Sequence, residues 1–119
     1  MNEKKYRQAV RERDLDICLV TGLPADDIHE IRHRSNVPKH MQEESGIFEL
    51  ENGVELSRQV HADLGSPYVG KVMLRYLLHL KYGYPRPMEI PENWFMDTIV
   101  RYLMYVNAGW KRPDLKENL

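Results

Sequence analysis

Hydrophobic and polar positions recur along this chain with two different periods, and the changes of period mark its elements. Over residues 3–14, Tyr6, Ala9, Val10 and Arg13 fall at i, i+3, i+4 and i+7 while Arg11 and Glu12 point outward, which predicts a helix. Cys18-Leu19-Val20 is a short apolar run, and Thr21-Gly22-Leu23-Pro24 has the composition of a turn. From Asp27 to Ile31 the period drops to two, with Ile28 on one side and His29 on the other, as in a strand. The two runs are expected to pair as a hairpin. Residues 32–51 hold Pro38, Gly46 and several charges without a clean period. They predict a long irregular loop with one short helical piece, and long loops in small domains are often functional. Val54-Glu55-Leu56-Ser57 predicts a second strand, after which Ser57 or Arg58 opens a short helix that carries His61 and ends at Gly65-Ser66-Pro67.

The second half is simpler. Val69, Val72, Met73, Tyr76, Leu77 and Leu80 form a stripe that predicts an amphipathic helix over 67–82, broken by Gly83-Tyr84-Pro85-Arg86-Pro87. Phe95, Ile99, Tyr102, Leu103 and Val106 form another, with Pro91-Glu92 suited to its start and Gly109 to its end. The tail from Lys111 is polar and expected to fray. Both stripes are expected to pack on each other and on the strand–helix unit, with Trp94 and Trp110 as packing anchors. A dimer interface is the competing use of stripes so broad and aromatic.

Length and composition narrow the class. A chain of 119 residues makes one small domain with a modest core, and 42% hydrophobic with 29% charged residues is the balance of a soluble globular protein. There is no apolar stretch of about 18 residues, so no transmembrane helix and no membrane partner is expected. The polar start, MNEKKYRQAVRERD, lacks the apolar segment of a secretory signal, and a cytoplasmic location is expected. The single cysteine, Cys18, rules out an internal disulfide and an all-cysteine zinc site, and reads as a buried small hydrophobe. The net charge is −1, so any nucleic-acid surface must be local. The acidic excess lies in residues 36–60, with two basic and five acidic groups, and the basic excess in 61–119, with eight and six.

The candidate chemistry lies in a spaced polar set: His29-Glu30-Ile31, then Asn52-Gly53-Val54-Glu55-Leu56, then His61 nine residues after Asn52. In that order, and with Arg7–Asp14, Cys18 and Thr21-Gly22 ahead of it, this set resembles the HNH nucleases over about residues 7–65. The resemblance implies an α+β fold in one domain: a ββα-metal unit with its lead-in helix over 1–65, and a helical extension with two packing helices over 66–119. It implies a metal-dependent DNA endonuclease in which His29 and His61 bind the metal. Asn52 takes the place of the central Asn, whose side chain bonds to backbone and holds the loop. The place of the general base holds Glu30 instead of His, and His33 is the alternative base. The place four residues after His61, where many relatives carry a further His, is Gly65.

The implied metal shell is therefore two imidazoles, with or without Glu30, completed by water and phosphate. A participating carboxylate suits Mg²⁺ or Mn²⁺; without it a softer ion such as Ni²⁺ or Zn²⁺ is favoured. Many relatives also carry two Cys-x-x-Cys knuckles. Those places read Cys18, Thr21, Ser57 and Val60, so no structural zinc is implied and packing from the C-terminal helices takes its role. The implied partner is DNA. Arg32 and Arg34 beside the metal would clamp phosphate, and Lys71, Arg75 and His79 on one helix face would touch the DNA backbone, a solvated face being the plainer use. The family's distribution suggests a phage or mobile-element setting. Two alternatives stand beside this: a non-catalytic DNA- or protein-binding module on the same frame, and a small helical interaction protein.

Overall fold

The structure is a computed structural model that describes residues 1–87 and 90–115. Helix α1 spans Glu3–Asp14, and the Asn2 side chain caps it by accepting from the Lys5 amide at 2.9 Å. Its inner face buries Tyr6, Val10 and Asp14. The chain leaves α1 through Leu15 and Asp16, both left-handed at φ 57° and 58°, an uncommon conformation for non-glycine residues. Hydrogen bonds from Leu15 N to Arg11 O (2.8 Å) and from Ala25 N to Asp16 O (2.9 Å) hold this reversal.

The first expected pairing does not form. Strand β1 (Asp27–Glu30) pairs antiparallel with β2 (Gly53–Leu56), in the register Asp27 opposite Leu56 and His29 opposite Val54. Cys18-Leu19-Val20 is no strand; only a single bridge joins Ile17 to Pro24. The reason is local: Gly22 turns the chain tightly at φ 74°, and Pro24 has no N–H for a ladder. The run closes on itself through Cys18 N to Leu23 O (2.7 Å) and reaches β2 through Leu19 N to Glu55 O (3.1 Å).

The loop between the strands holds three one-turn 3₁₀ helices, Arg34–Asn36, Lys39–Met41 and Leu50–Asn52, where the sequence suggested one helical piece. Ile47 and Phe48 anchor it by packing on Tyr6 and Val10 of α1. Helix α2 (Arg58–Leu64) follows β2 at once, with the Ser57 hydroxyl accepting from Val60 N as its cap. Helices α3 (Tyr68–Tyr82) and α4 (Glu92–Ala108) match their predicted spans closely, and left-handed Gly83 and Gly109 stop them. Among the described residues, four helices and one two-stranded antiparallel sheet make an α+β fold.

One core runs through both halves of the chain. Val54, Leu56, Val60 and Leu64 meet Val69, Met73, Leu74, Tyr76 and Leu78 of α3 and Phe95 and Tyr102 of α4. Tyr76 stacks on Phe95 at 4.1 Å between ring centres. Three expectations are corrected. Leu80 lies exposed at the end of α3, while Leu74 and Leu78 are buried in its place because α3 packs on two sides. Among the described residues Trp110 joins neither apolar cluster and is 58% exposed. The tail does not fray through 111–115: Leu115 returns to the core and Arg112 pairs with Asp63 at 3.4 Å. Residues 116–119 of that expected tail lie outside the described residues. No helix among the described residues is long and apolar enough to cross a membrane.

Candidate functional site

Strand alternation decides which side chains meet. On β1, Ile28 and Glu30 face α1. Ile28 packs against the cluster of Tyr6, Val10, Ile47 and Phe48. Glu30, 9% exposed, accepts from Arg34 Nε at 2.8 Å and Nη2 at 2.5 Å, and Arg34 Nη1 donates to Glu3 of α1. Burial, and then the charge of Glu30, raises the Tyr6 hydroxyl above the usual range. Arg34, expected to clamp phosphate, is thus committed to two carboxylates of its own chain.

Asp27 and His29 face α2. The Asp26 carboxylate accepts from Arg58 N at 2.9 Å at the start of α2, and Asp27 bonds His61 Nδ1 at 3.1 Å. A carboxylate only accepts, so Nδ1 of His61 carries a proton, and Nε2 is the nitrogen turned away from Asp27. The His61 ring lies 4.7 Å from that of His29, and the His33 ring 5.2 Å from His29 on another side. His33 Nε2 stands 3.4 Å from the Gly65 carbonyl. Two depressions of about 320 and 360 Å³ open on the surface here, and His29, His33 and His61 line both. Glu30 lines only the first.

His29 is 3% exposed, and its Nε2 is buried without a hydrogen-bond partner. Burial, followed by the neighbouring His61, His33 and Lys71, pushes its pKa down to about 4, against a hydrogen-bonding contact with the Gly65 backbone that works to raise it. A buried nitrogen that neither donates nor accepts costs free energy, on the order of 1–3 kcal/mol. Gly65 makes room for the rings. A Cβ there would lie 2.5 Å from the His61 carbonyl oxygen, 3.0 Å from His61 Cδ2 and 3.3 Å from His29 Cε1, so the further histidine of the resemblance would fit at this position only if the backbone shifted.

Asn52 organises the loop that carries His33. Its Oδ1 accepts from Arg32 N at 2.8 Å, and its Nδ2 donates to Arg32 O at 3.1 Å and Ile47 O at 3.0 Å. The Ile31 amide adds a bond to Asn52 O at 2.9 Å. One side chain, 5% exposed, thereby fixes both ends of the loop.

The knuckle positions also converge. Cys18 is 1% exposed and shares the core with Val60. Burial works to raise its thiol pKa, but hydrogen bonds from the Thr21 side chain and the Ser57 backbone outweigh it and lower the pKa. Arg32, Lys71 and Arg75 line a separate cleft beside the histidines.

Two imidazoles, one with an orphaned buried nitrogen and the other oriented by a carboxylate, fit a divalent ion bound with water or phosphate in its remaining positions. Among the described residues no group of three or more His, Cys, Asp or Glu is placed to hold a metal ion, so the pair His29 and His61 is the donor set available. Asp27 is the participant the sequence reading missed. Its signal was the period of two, which puts it on the face of His29. Comparison with protein-family models, curated proteins and solved structures returns no match.

Proposed function

We propose that the chain is a metal-dependent endonuclease of the HNH kind, hydrolysing phosphodiester bonds in DNA. The observation that carries this reading is the meeting of His29, His33 and His61, where His29 keeps a buried, unpartnered Nε2 beside the His61 ring. The Asn52 clamp adds support, since it falls at a place the resemblance named. His29 and His61 would hold the ion. An ion held there would supply the positive charge that neutralises a scissile phosphate and stabilises its leaving oxygen. Asp27 keeps His61 in one tautomer and one orientation.

Of the two candidate bases, Glu30 has its charge committed to Arg34, so His33 takes the proton from the attacking water. With Glu30 engaged, imidazole dominates the donor set, which favours Ni²⁺ or Zn²⁺ over Mg²⁺ or Mn²⁺. The test is nicking of supercoiled plasmid with each ion or with EDTA. Ion-dependent nicking that disappears in both His29→Ala and His61→Ala is expected, and undiminished cutting in either overturns the assignment. His33→Ala is expected to slow cutting by about a hundredfold or more, and Glu30→Gln far less.

The second reading is a non-catalytic DNA- or protein-binding module on the same frame. The observation that favours it is the Glu30–Arg34 pair, which occupies the usual base position with a structural ion pair. It predicts binding without turnover under every ion. A native metal site raises the melting temperature at millimolar metal, and no rise favours instead a small helical interaction protein.

A further inference from the structure

Beside the histidines, α3 and the segment after it enclose a cleft of about 410 Å³. Its floor is apolar, from Ile31 and Val72, and its walls carry Arg32, Lys71, Arg75 and Arg86. Among the described residues no carboxylate pairs with any of the four. In a chain of net charge −1, four unneutralised cations in one cleft are a local feature that composition hides. Two of them are held in place: Arg32 donates to the Ser45 carbonyl, and the Arg86 guanidinium lies 5.4 Å from the Tyr76 ring centre. Tyr68, at the start of α3, lines the same cleft with 58% of its surface exposed.

The cleft and the histidine site are contiguous in the chain. Arg32 comes three residues after His29 and one before His33. The positive charge of Lys71 reaches His29. Guanidinium forks match phosphate oxygens bidentately. An exposed ring among such cations offers a stacking surface only to a base that is not already stacked and paired in a duplex.

We propose that this cleft binds the sugar–phosphate backbone of an unpaired nucleic-acid strand leading to the scissile phosphate, with Tyr68 stacking on a base. The placement of the scissile phosphate rests on the nuclease reading; the binding itself does not. The nuclease would then prefer substrates that are single-stranded beside the cut, such as a flap, a gap or a displaced strand.

The test is fluorescence anisotropy of a short labelled oligodeoxythymidine, and of a duplex of the same length, in EDTA so that no cutting occurs. The single strand is expected to bind more tightly than the duplex. Arg75→Ala and Arg86→Ala are each expected to reduce the magnitude of the salt slope, log K against log salt concentration, by about 0.7. Tyr68→Ala is expected to weaken single-strand binding by about fivefold or more, with Tyr68→Trp restoring it. Arg101→Ala, which removes one charge outside the cleft, is expected to leave the slope unchanged.

Salt slopes that ignore Arg75 and Arg86, or a duplex preference indifferent to Tyr68, overturn the proposal. So does tighter binding of polyglutamate than of the oligonucleotide, which makes the cleft a site for acidic protein segments. A chain that binds through the cleft but never nicks fails only the nuclease reading. One that nicks while its binding ignores the cleft variants fails only this one.

Discussion

Asp27 governs the chemistry open to His61. By accepting a hydrogen bond from Nδ1–H it leaves Nε2 as the free nitrogen and stops the ring from turning. Asp27→Ala is therefore expected to weaken divalent-ion binding by about 10–100-fold, measured by calorimetry, while the fold survives because Asp27 is half-exposed. The period of two already put Asp27 on the face of His29. The role stayed hidden because its partner lies 34 residues away on α2. The reverse holds for Glu30 and Arg34. Both were legible as candidates, but their mutual pairing depends on how the chain turns after Ile31, a turn that no local pattern specifies.

At the scale of elements, the long loop behaves as a fixed part because Asn52 holds it. The Asn52 side chain, itself buried, makes three bonds to the backbone, two half-buried ones at Arg32 and one at Ile47 that is closed to water. Removing them leaves the Arg32 amide and two carbonyls unsatisfied, so Asn52→Ala is expected to cost about 2–4 kcal/mol in urea denaturation and to abolish nicking. Asn52→Asp, which retains the acceptor but loses the donor, is expected to fall between. The loop's irregularity was legible in its lack of period. Its rigidity was not, since its anchors, Ile47 and Phe48 on α1, join segments about 40 residues apart. The helices were the clearest elements: apolar stripes marked their spans, and glycine stops at 83 and 109 closed them.

At the scale of the whole molecule, an ionic hub ties the two halves together. Arg13 donates to Leu50 O and Gly53 O, both at 2.6 Å, and its guanidinium lies 4.7 Å from the Tyr82 ring centre. Asp14 accepts from Arg13, from the Glu55 amide at 2.9 Å and from the Tyr82 hydroxyl at 2.8 Å. This concentration of acid beside β2 carries a pH signature. Glu55 is 4% exposed with an unpartnered Oε1, and burial, then Asp16 and Asp14, push its pKa up to about 7 against an ordinary 4.5, with Arg11 opposing. The fold prefers the neutral carboxyl. Its contribution is therefore fully present below pH 4.5 and is lost as the pH rises through about 7. Glu55→Gln is expected to flatten that part of the stability curve. At about pH 8 it is expected to be more stable than the native chain by about 2–3 kcal/mol, read from urea denaturation at several pH values.

What depends on neighbours along the chain could be read from the residues alone: the helix spans, the glycine stops, the two strands, and the order His29, Asn52, His61 with its spacing. These follow from periodicity and backbone preference, which act over a few residues. The tertiary structure alone decided which strand β1 pairs with, that Arg34 is consumed by Glu30 and Glu3, that Asp27 orients His61, and that Arg86 and Tyr68 join Arg32, Lys71 and Arg75 in one cleft. Each of these joins groups far apart in the chain, and burial and charge select such partners only once the core has closed around them.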